Sequence, residues 1–344
     1  MRILFTSTRG QHGRSVQQFS AQLDACVDRD GFVRVETPQE AEAIIFCEDY
    51  DPSELIWAKS LRAHPWVRTY PELCYTINTE DQLIGFLSGV YCSLVRRDYD
   101  PRRHRTWQYP RTANPLVADV DPESLFPAAP THLASFAGAA GQRVRRRLFK
   151  SRRIASDGCF ALRETPRSQF NAECASREVE RAREDYVSFI QDGKFSLCPR
   201  GYGPNTYRIQ ESMALGRAPV ILSDDWVPPG RIPWSTCAIR VPERQVERLP
   251  EILAERENEW ETLGRAARAA WEAHLRPDHF ALRALQLIRV LAQDRAHEER
   301  LEIDRWPEME RRRARRMQGF GLKQVRSKLW KRVAALARTP RRGA

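Results

Sequence analysis

Several things are scarce in this sequence, and each scarcity excludes a class of protein. No apolar run comes near the roughly 20 residues that a membrane-spanning helix needs. With hydrophobic residues at 42% and charged ones at 29%, the bulk of the chain is expected to be soluble and globular. The opening MRILFTSTRGQHGRS has a short apolar stretch and no small-residue cleavage site. No secretory leader is expected there, and a cytoplasmic location is. The eight cysteines, Cys26, Cys47, Cys74, Cys92, Cys159, Cys174, Cys198 and Cys237, stand singly, without a CxxC pair or a Cys/His cluster. Reduced thiols are therefore expected, not disulfides or zinc. No nucleophile elbow is present, and His274 and His279 do not share a helix face, so neither a hydrolase nor a metal site is assigned. The D-x-D spacings at Asp28–Asp30 and Asp119–Asp121 fit solvated acidic pairs, and no metal or cofactor is expected.

Acidic residues are missing altogether from 311–344, which carries ten Arg and three Lys. The net charge of +11 thus divides into +13 on the tail and 11 − 13 = −2 on residues 1–310. Any partner inferred from charge belongs to the tail. Its Leu322, Val325, Leu329, Trp330, Val333 and Leu336 recur at helical spacing among basic residues. That pattern suits a helix lying on an anionic membrane surface; a disordered basic tail, or a helix packed back on the body, would also fit. Nucleic acid is unlikely as a partner because the tail has few aromatic platforms.

What is present points to an α/β protein. At 344 residues, two domains are the natural reading. Arg2–Thr6 and Ala43–Cys47 read as buried strands, with a helix near Val16–Cys26 between them. The proline-rich Asp121–Pro130 reads as a linker. Beyond it, Leu133–Phe136, Phe195–Cys198 and Ala218–Leu222 form a second strand series, with Val144–Lys150 and Pro204–Leu215 as helices. Gln245 to Asp294 is helical in propensity, broken near Pro277. The division is a first half 1–121, a linker 122–130, a second half 131–300 and a tail 301–344. Two such halves of mainly parallel sheet would bind ligands beyond the carboxyl ends of their strands.

The richest segment is Lys194–Trp226. A strand runs into Arg200-Gly201-Tyr202-Gly203, and a helix follows whose first position suits Pro204. Free N–H groups at a helix start, together with glycines that admit close approach, make an anion site. Arg200 and Arg208 would add fork-shaped bonds to a diphosphate. Glu211, on the same helix face as Arg208, could accept from ribose hydroxyls or merely pair with that arginine. Asp224 and Asp225, after Ala218–Leu222, would hold a donor sugar or the acceptor, or serve as a turn and cap. For a base to take the acceptor proton, His12, Glu48 and Asp49 stand at strand ends in the first half. Nothing in the sequence separates them.

The string FSLCPRGYGPNTYRIQESMALGRAPVILSDDWVPP resembles the exostosin family of glycosyltransferases. The likeness continues upstream at Ser135-Phe136-Ala137-Gly138 with Arg145 or Arg146, and loosely at Leu87–Tyr91. It implies a GT-B fold of two Rossmann-like domains facing a central cleft. It also implies inverting, metal-independent transfer from a nucleoside diphosphate sugar, expected to be UDP-linked, to a glycan or lipid-linked acceptor. In that family the arginine and glutamate of the R-x-x-E helix hold diphosphate and ribose, which here are Arg208 and Glu211. The donor set expected on this basis is Gly138, Arg145, Arg200, Gly201, Tyr202, Asn205, Arg208, Glu211, Asp224 and Asp225. The first 60 residues show no match to the family. A catalytically silent nucleotide- or glycan-binding protein on the same scaffold is the alternative, and an adaptor acting through the tail is a third possibility.

Overall fold

The computed structural model describes residues 1–8, 30–48, 57–81, 85–126, 130–166 and 177–294, together with positions 19, 21–23, 25, 26 and 308. His12, Asp49, the tail 311–344 and positions 16–18, 20 and 24 of the helix expected at Val16–Cys26 lie outside the described residues.

The first half is a parallel sheet of β1 (Arg2–Thr6), β2 (Val33–Arg34), β3 (Ala43–Glu48), β4 (Cys74–Asn78), β5 (Ser88–Tyr91) and β6 (His104–Thr106), in the order β2-β1-β3-β4-β5-β6. Every residue of β3 and β4 is buried, as expected of central strands covered on both faces. Helices α1 (Trp57–Ala63) and α2 (Pro65–Thr69) fall between β3 and β4. The second half pairs β7 (His132–Gly138), β8 (Phe160–Glu164), β9 (Gly193–Pro199), β10 (Ala218–Leu222) and β11 (Ile239–Arg240), also parallel, in the order β11-β10-β9-β7-β8. Its helices are α3 (Arg143–Lys150), α4 (Arg152–Asp157), α5 (Arg177–Gln191), α6 (Tyr207–Ala214), α7 (Trp234–Cys237), α8 (Leu249–Ala254) and α9 (Trp260–Ala270). Two Rossmann-like halves of parallel sheet and helix are what the resemblance implied.

The last helix, α10 (Phe280–Asp294), follows the second half in sequence but packs against β5 of the first sheet. Phe280, Ala281, Ala284, Leu285, Ile288 and Leu291 are its buried face, a 3.6-residue stripe. Phe280 meets Phe19 edge-on at 5.7 Å between ring centres. Arg105 pairs with Asp294 at 3.1 Å, and Arg289 lies over the Phe32 ring. Among the described residues no helix is long and apolar enough to cross a membrane.

One local expectation fails. The helix read as opening at Pro204 begins at Tyr207, with Thr206 still extended at φ −151° and ψ 141°. The cause is tertiary. Asn205 donates its side-chain amide to Cys92 O (2.7 Å) and its backbone N–H to Ser93 Oγ (3.3 Å) across the seam. These bonds hold residues 203–206 out of helical geometry. At the other end Gly216, with φ 64°, closes α6 as its position suggested.

Candidate functional site

The carboxyl ends of β7 and β9 meet those of the first sheet along a seam, and the unusual electrostatics gather there. Arg145 projects from α3, which follows β7, and Arg208 from α6, which follows β9. Both approach the Phe136 ring, with guanidinium carbons 5.7 Å and 5.1 Å from its centre. Arg145 donates to Pro199 O (3.1 Å) and Arg200 O (3.0 Å), and Arg208 to Ala137 O (2.8 Å). Their hydrogen-bond partners are thus backbone carbonyls, and among the described residues neither makes an ion pair with a carboxylate. Burial, with the charge of Arg208 as the second cause, pushes the Arg145 pKa down to about 9. Two guanidiniums beside one ring at strand ends, with Asp81 the acid whose charge reaches Arg145, make a candidate site for an anion with more than one negative charge.

Gly138 makes that packing possible, because a Cβ there would lie 2.5 Å from Arg208 Nη2 and 2.9 Å from its Cζ. Gly201 lies beside the same cluster, where an added Cβ would stand 3.6 Å from Arg145 Nη2. Tyr202 is half-buried in the same loop.

The remaining expected residues are differently employed. Arg200 donates its Nε to Glu243 at 2.9 Å, and Glu243 in turn donates its backbone N–H to Asp224 Oδ1 at 3.0 Å. Arg200 therefore does not face the Arg145–Arg208 cluster as a free third cation. Asp224 and Asp225 are exposed, and their backbone carbonyls fasten Arg96 of the first half, which donates its Nε to Asp224 O (3.4 Å) and its N–H to Asp225 O (3.0 Å). Arg96 Nη2 reaches Trp226 O as well, at 2.6 Å. Asn205, nearly fully buried, serves the seam as described above.

Glu211 forms no ion pair with Arg208. One carboxylate oxygen accepts from Asn114 N–H (2.9 Å) and the other from the Tyr186 hydroxyl (2.8 Å), in a nearly fully buried setting. It ties α6 to the segment after β6 and to α5, and a ribose would have to share its remaining lone pairs. Asp121 of the D-x-D pair caps a turn, accepting from Glu123 N–H at 3.1 Å. Glu48, at the end of β3, is buried and accepts from Thr8 N–H (2.8 Å) and Thr8 Oγ1 (3.0 Å), pinning the loop after β1.

Sequence reasoning missed Asp81, just past β4. It accepts from the Tyr109 hydroxyl at 2.5 Å and from Ser93 and the Gly203 backbone N–H. Burial raises its pKa, while these three bonds and the charge of Arg145 act in the opposite sense. Tyr109 stacks on Tyr207 of α6 at 4.2 Å. Gly203 has no room for a side chain there, since a Cβ would strike Ser93 Oγ and come within 2.7 Å of Asp81 Oδ1. The second glycine of the loop thus serves domain contact. Only placement at a strand's carboxyl end could have flagged Asp81, and β4 itself carries no distinctive local signal.

The sequence model of the exostosin GT47 domain matches residues 64–255. An exostosin-1 homolog of Caenorhabditis elegans is 32% identical over 106 residues, 30% of this chain and 28% of that protein. A probable glucuronosyltransferase of Oryza sativa is 41% identical over 71 residues, 20% of this chain and 17% of that protein. The chain therefore spans less than a third of the length of these relatives. Among solved structures, sucrose-phosphate synthase from Thermosynechococcus elongatus aligns over 84% of this chain and 98% of its own, at 11% identity and a TM-score of 0.40. WaaG, a glycosyltransferase involved in lipopolysaccharide biosynthesis, aligns over 84% and 99%, at 11% identity and a TM-score of 0.37. Because the family match takes in more than half of the chain, from residue 64 to residue 255, this protein belongs to the exostosin GT47 family.

Proposed function

We propose that this chain is an inverting glycosyltransferase that moves a sugar from a nucleoside diphosphate donor, of the UDP class, to a glycan or lipid-linked acceptor. The observation that carries the reading is the Arg145–Arg208 pair, two cations with carbonyl partners at the ends of β7 and β9. A leaving diphosphate would bring negative charge to this cationic pair. Fixed guanidiniums beside it stabilise the charge that develops as the glycosidic bond breaks, which is the basis for proposing transfer without a metal. Glucuronosyl and xylosyl transfer, named for the rice relative and for a probable β-1,4-xylosyltransferase of Arabidopsis thaliana, supply the first donors to try.

The test is UDP release from UDP-glucuronic acid and UDP-xylose, with EDTA present and an oligosaccharide acceptor added, followed by assignment of the product anomer. UDP binding without turnover of any nucleoside diphosphate sugar would replace this reading with a silent binding protein. Turnover abolished by EDTA would remove its metal-independent part. We place the protein in the cytoplasm, with residues 311–344 resting on anionic lipid. Truncation after Glu310 is expected to abolish sedimentation with phosphatidylglycerol vesicles.

A further inference from the structure

The chemistry proposed above needs a proton acceptor from the first half, and the seam holds a carboxylate in the required place. We propose that Asp81 is the general base that takes the proton of the acceptor hydroxyl. The inference rests on the donor reading of the Arg145–Arg208 pair.

Position comes first. Asp81 follows β4 at the carboxyl edge of the first sheet and bonds the Gly203 backbone of the donor loop, and Arg145 lies close enough for the two charges to interact. Acceptor and donor must meet between the halves, and this carboxylate stands at their boundary. As a whole residue Asp81 is half-buried.

Orientation is the second requirement. Tyr109, Ser93 and the Gly203 N–H hold the carboxylate from both halves, leaving about one of its roughly four lone-pair sites for an incoming hydroxyl. The competing Glu48 is more deeply buried and takes bonds from Thr8 on both oxygens.

Basicity is the third. Among the described residues, the titratable groups that interact with Asp81 are Tyr109 and Cys92 from the first half, and Tyr207 and Arg145 from the second. Burial outweighs the three donors and Arg145, so the net shift is upward. A carboxylate raised above its ordinary range is a better proton acceptor near neutral pH.

The step balances. The acceptor O–H bond breaks and its proton passes to an Asp81 oxygen, while the hydroxyl oxygen bonds the anomeric carbon. The bond from that carbon to the diphosphate oxygen breaks, and its electron pair leaves on the diphosphate, held by Arg145 and Arg208.

The experiment compares wild type with Asp81→Asn and Tyr109→Phe in the full chain, using UDP calorimetry and UDP release from the donors named above. Asp81→Asn is expected to bind UDP within about twofold of wild type and to lose at least ~100-fold in kcat, the usual range for a general base. Wild-type kcat is expected to fall toward acid as Asp81 takes up a proton, and this limb is expected to move to higher pH in Tyr109→Phe, which lacks a bond that lowers the Asp81 pKa. Asp81→Asn turning over within about fivefold of wild type would overturn the proposal. Loss of UDP binding with kcat retained would also overturn it, and would make Asp81 a fastener of the seam. Failure of wild type itself to bind UDP would instead strike down the donor reading, and this inference with it.

Discussion

Arg145 and Arg208 come from helices that follow different strands, yet both guanidiniums approach one ring, Phe136, at 5.7 Å and 5.1 Å. Burial first, and the charge of Arg208 second, depress the Arg145 pKa, and a bound diphosphate would oppose both.

Arg208→Gln is therefore expected to weaken UDP binding tenfold or more, about 1.4 kcal/mol, while changing stability by less than ~1 kcal/mol because a like-charge contact is relieved. Calorimetry and urea unfolding on the same preparation check both parts. Undiminished UDP affinity would refute the assignment.

Gly138→Ala places a methyl against Arg208 Nη2 and Cζ. The glycine is not among those with positive φ, so the backbone should accept alanine. Expected is about a tenfold loss in UDP affinity with the thermal midpoint nearly unchanged. A collapse of the midpoint would assign Gly138 to folding.

Glu211 allows two roles to be separated. Alanine would remove the Glu211 acceptor from the buried Asn114 N–H and from the Tyr186 hydroxyl, costing on the order of 1–3 kcal/mol for the Asn114 N–H alone. Glutamine keeps one carbonyl oxygen for Asn114, and the Tyr186 hydroxyl can turn to accept from the amide. Glu211→Gln is thus expected to unfold within ~1 kcal/mol of wild type; if UDP binding also survives in it, the carboxylate is a structural tie and not a ribose partner.

Stability should depend on His104, buried in β6, whose pKa is lowered to about 3, chiefly by burial. Its Nδ1 accepts from the Asp100 N–H at 3.0 Å, so the folded state keeps it neutral. Between pH 6.5 and about 3 the unfolded chain binds the proton and the folded chain does not. Stability contributed by this histidine is complete above pH 6.5 and is lost as pH falls through that window. Urea midpoints measured from pH 7 to pH 4 should fall less steeply in His104→Gln than in wild type.

The strands β1, β3, β7, β9 and β10 were legible in the sequence because buried parallel strands are short apolar runs. The closure of α6 was legible too, since Gly216 sits where a left-handed residue is needed. Gly138, Arg145 and Arg208 were found from one contiguous pattern and its upstream neighbour. The family match later reached the same region.

The partners of those residues were not legible. Asn114 on Glu211, Arg96 on the carbonyls of Asp224–Trp226, and Ser93 and Asp81 on the Gly203 loop are joined across separations of roughly one hundred residues or more. The sequence by itself determined two α/β halves and offered a glycine–arginine candidate for an anion site, because strand burial, helix caps and charge are local properties. Tertiary structure decided which arginines are held by carbonyls and which by a carboxylate, where α6 begins and which acid faces the Gly203 loop, because each depends on what distant parts of the chain bring within hydrogen-bonding distance.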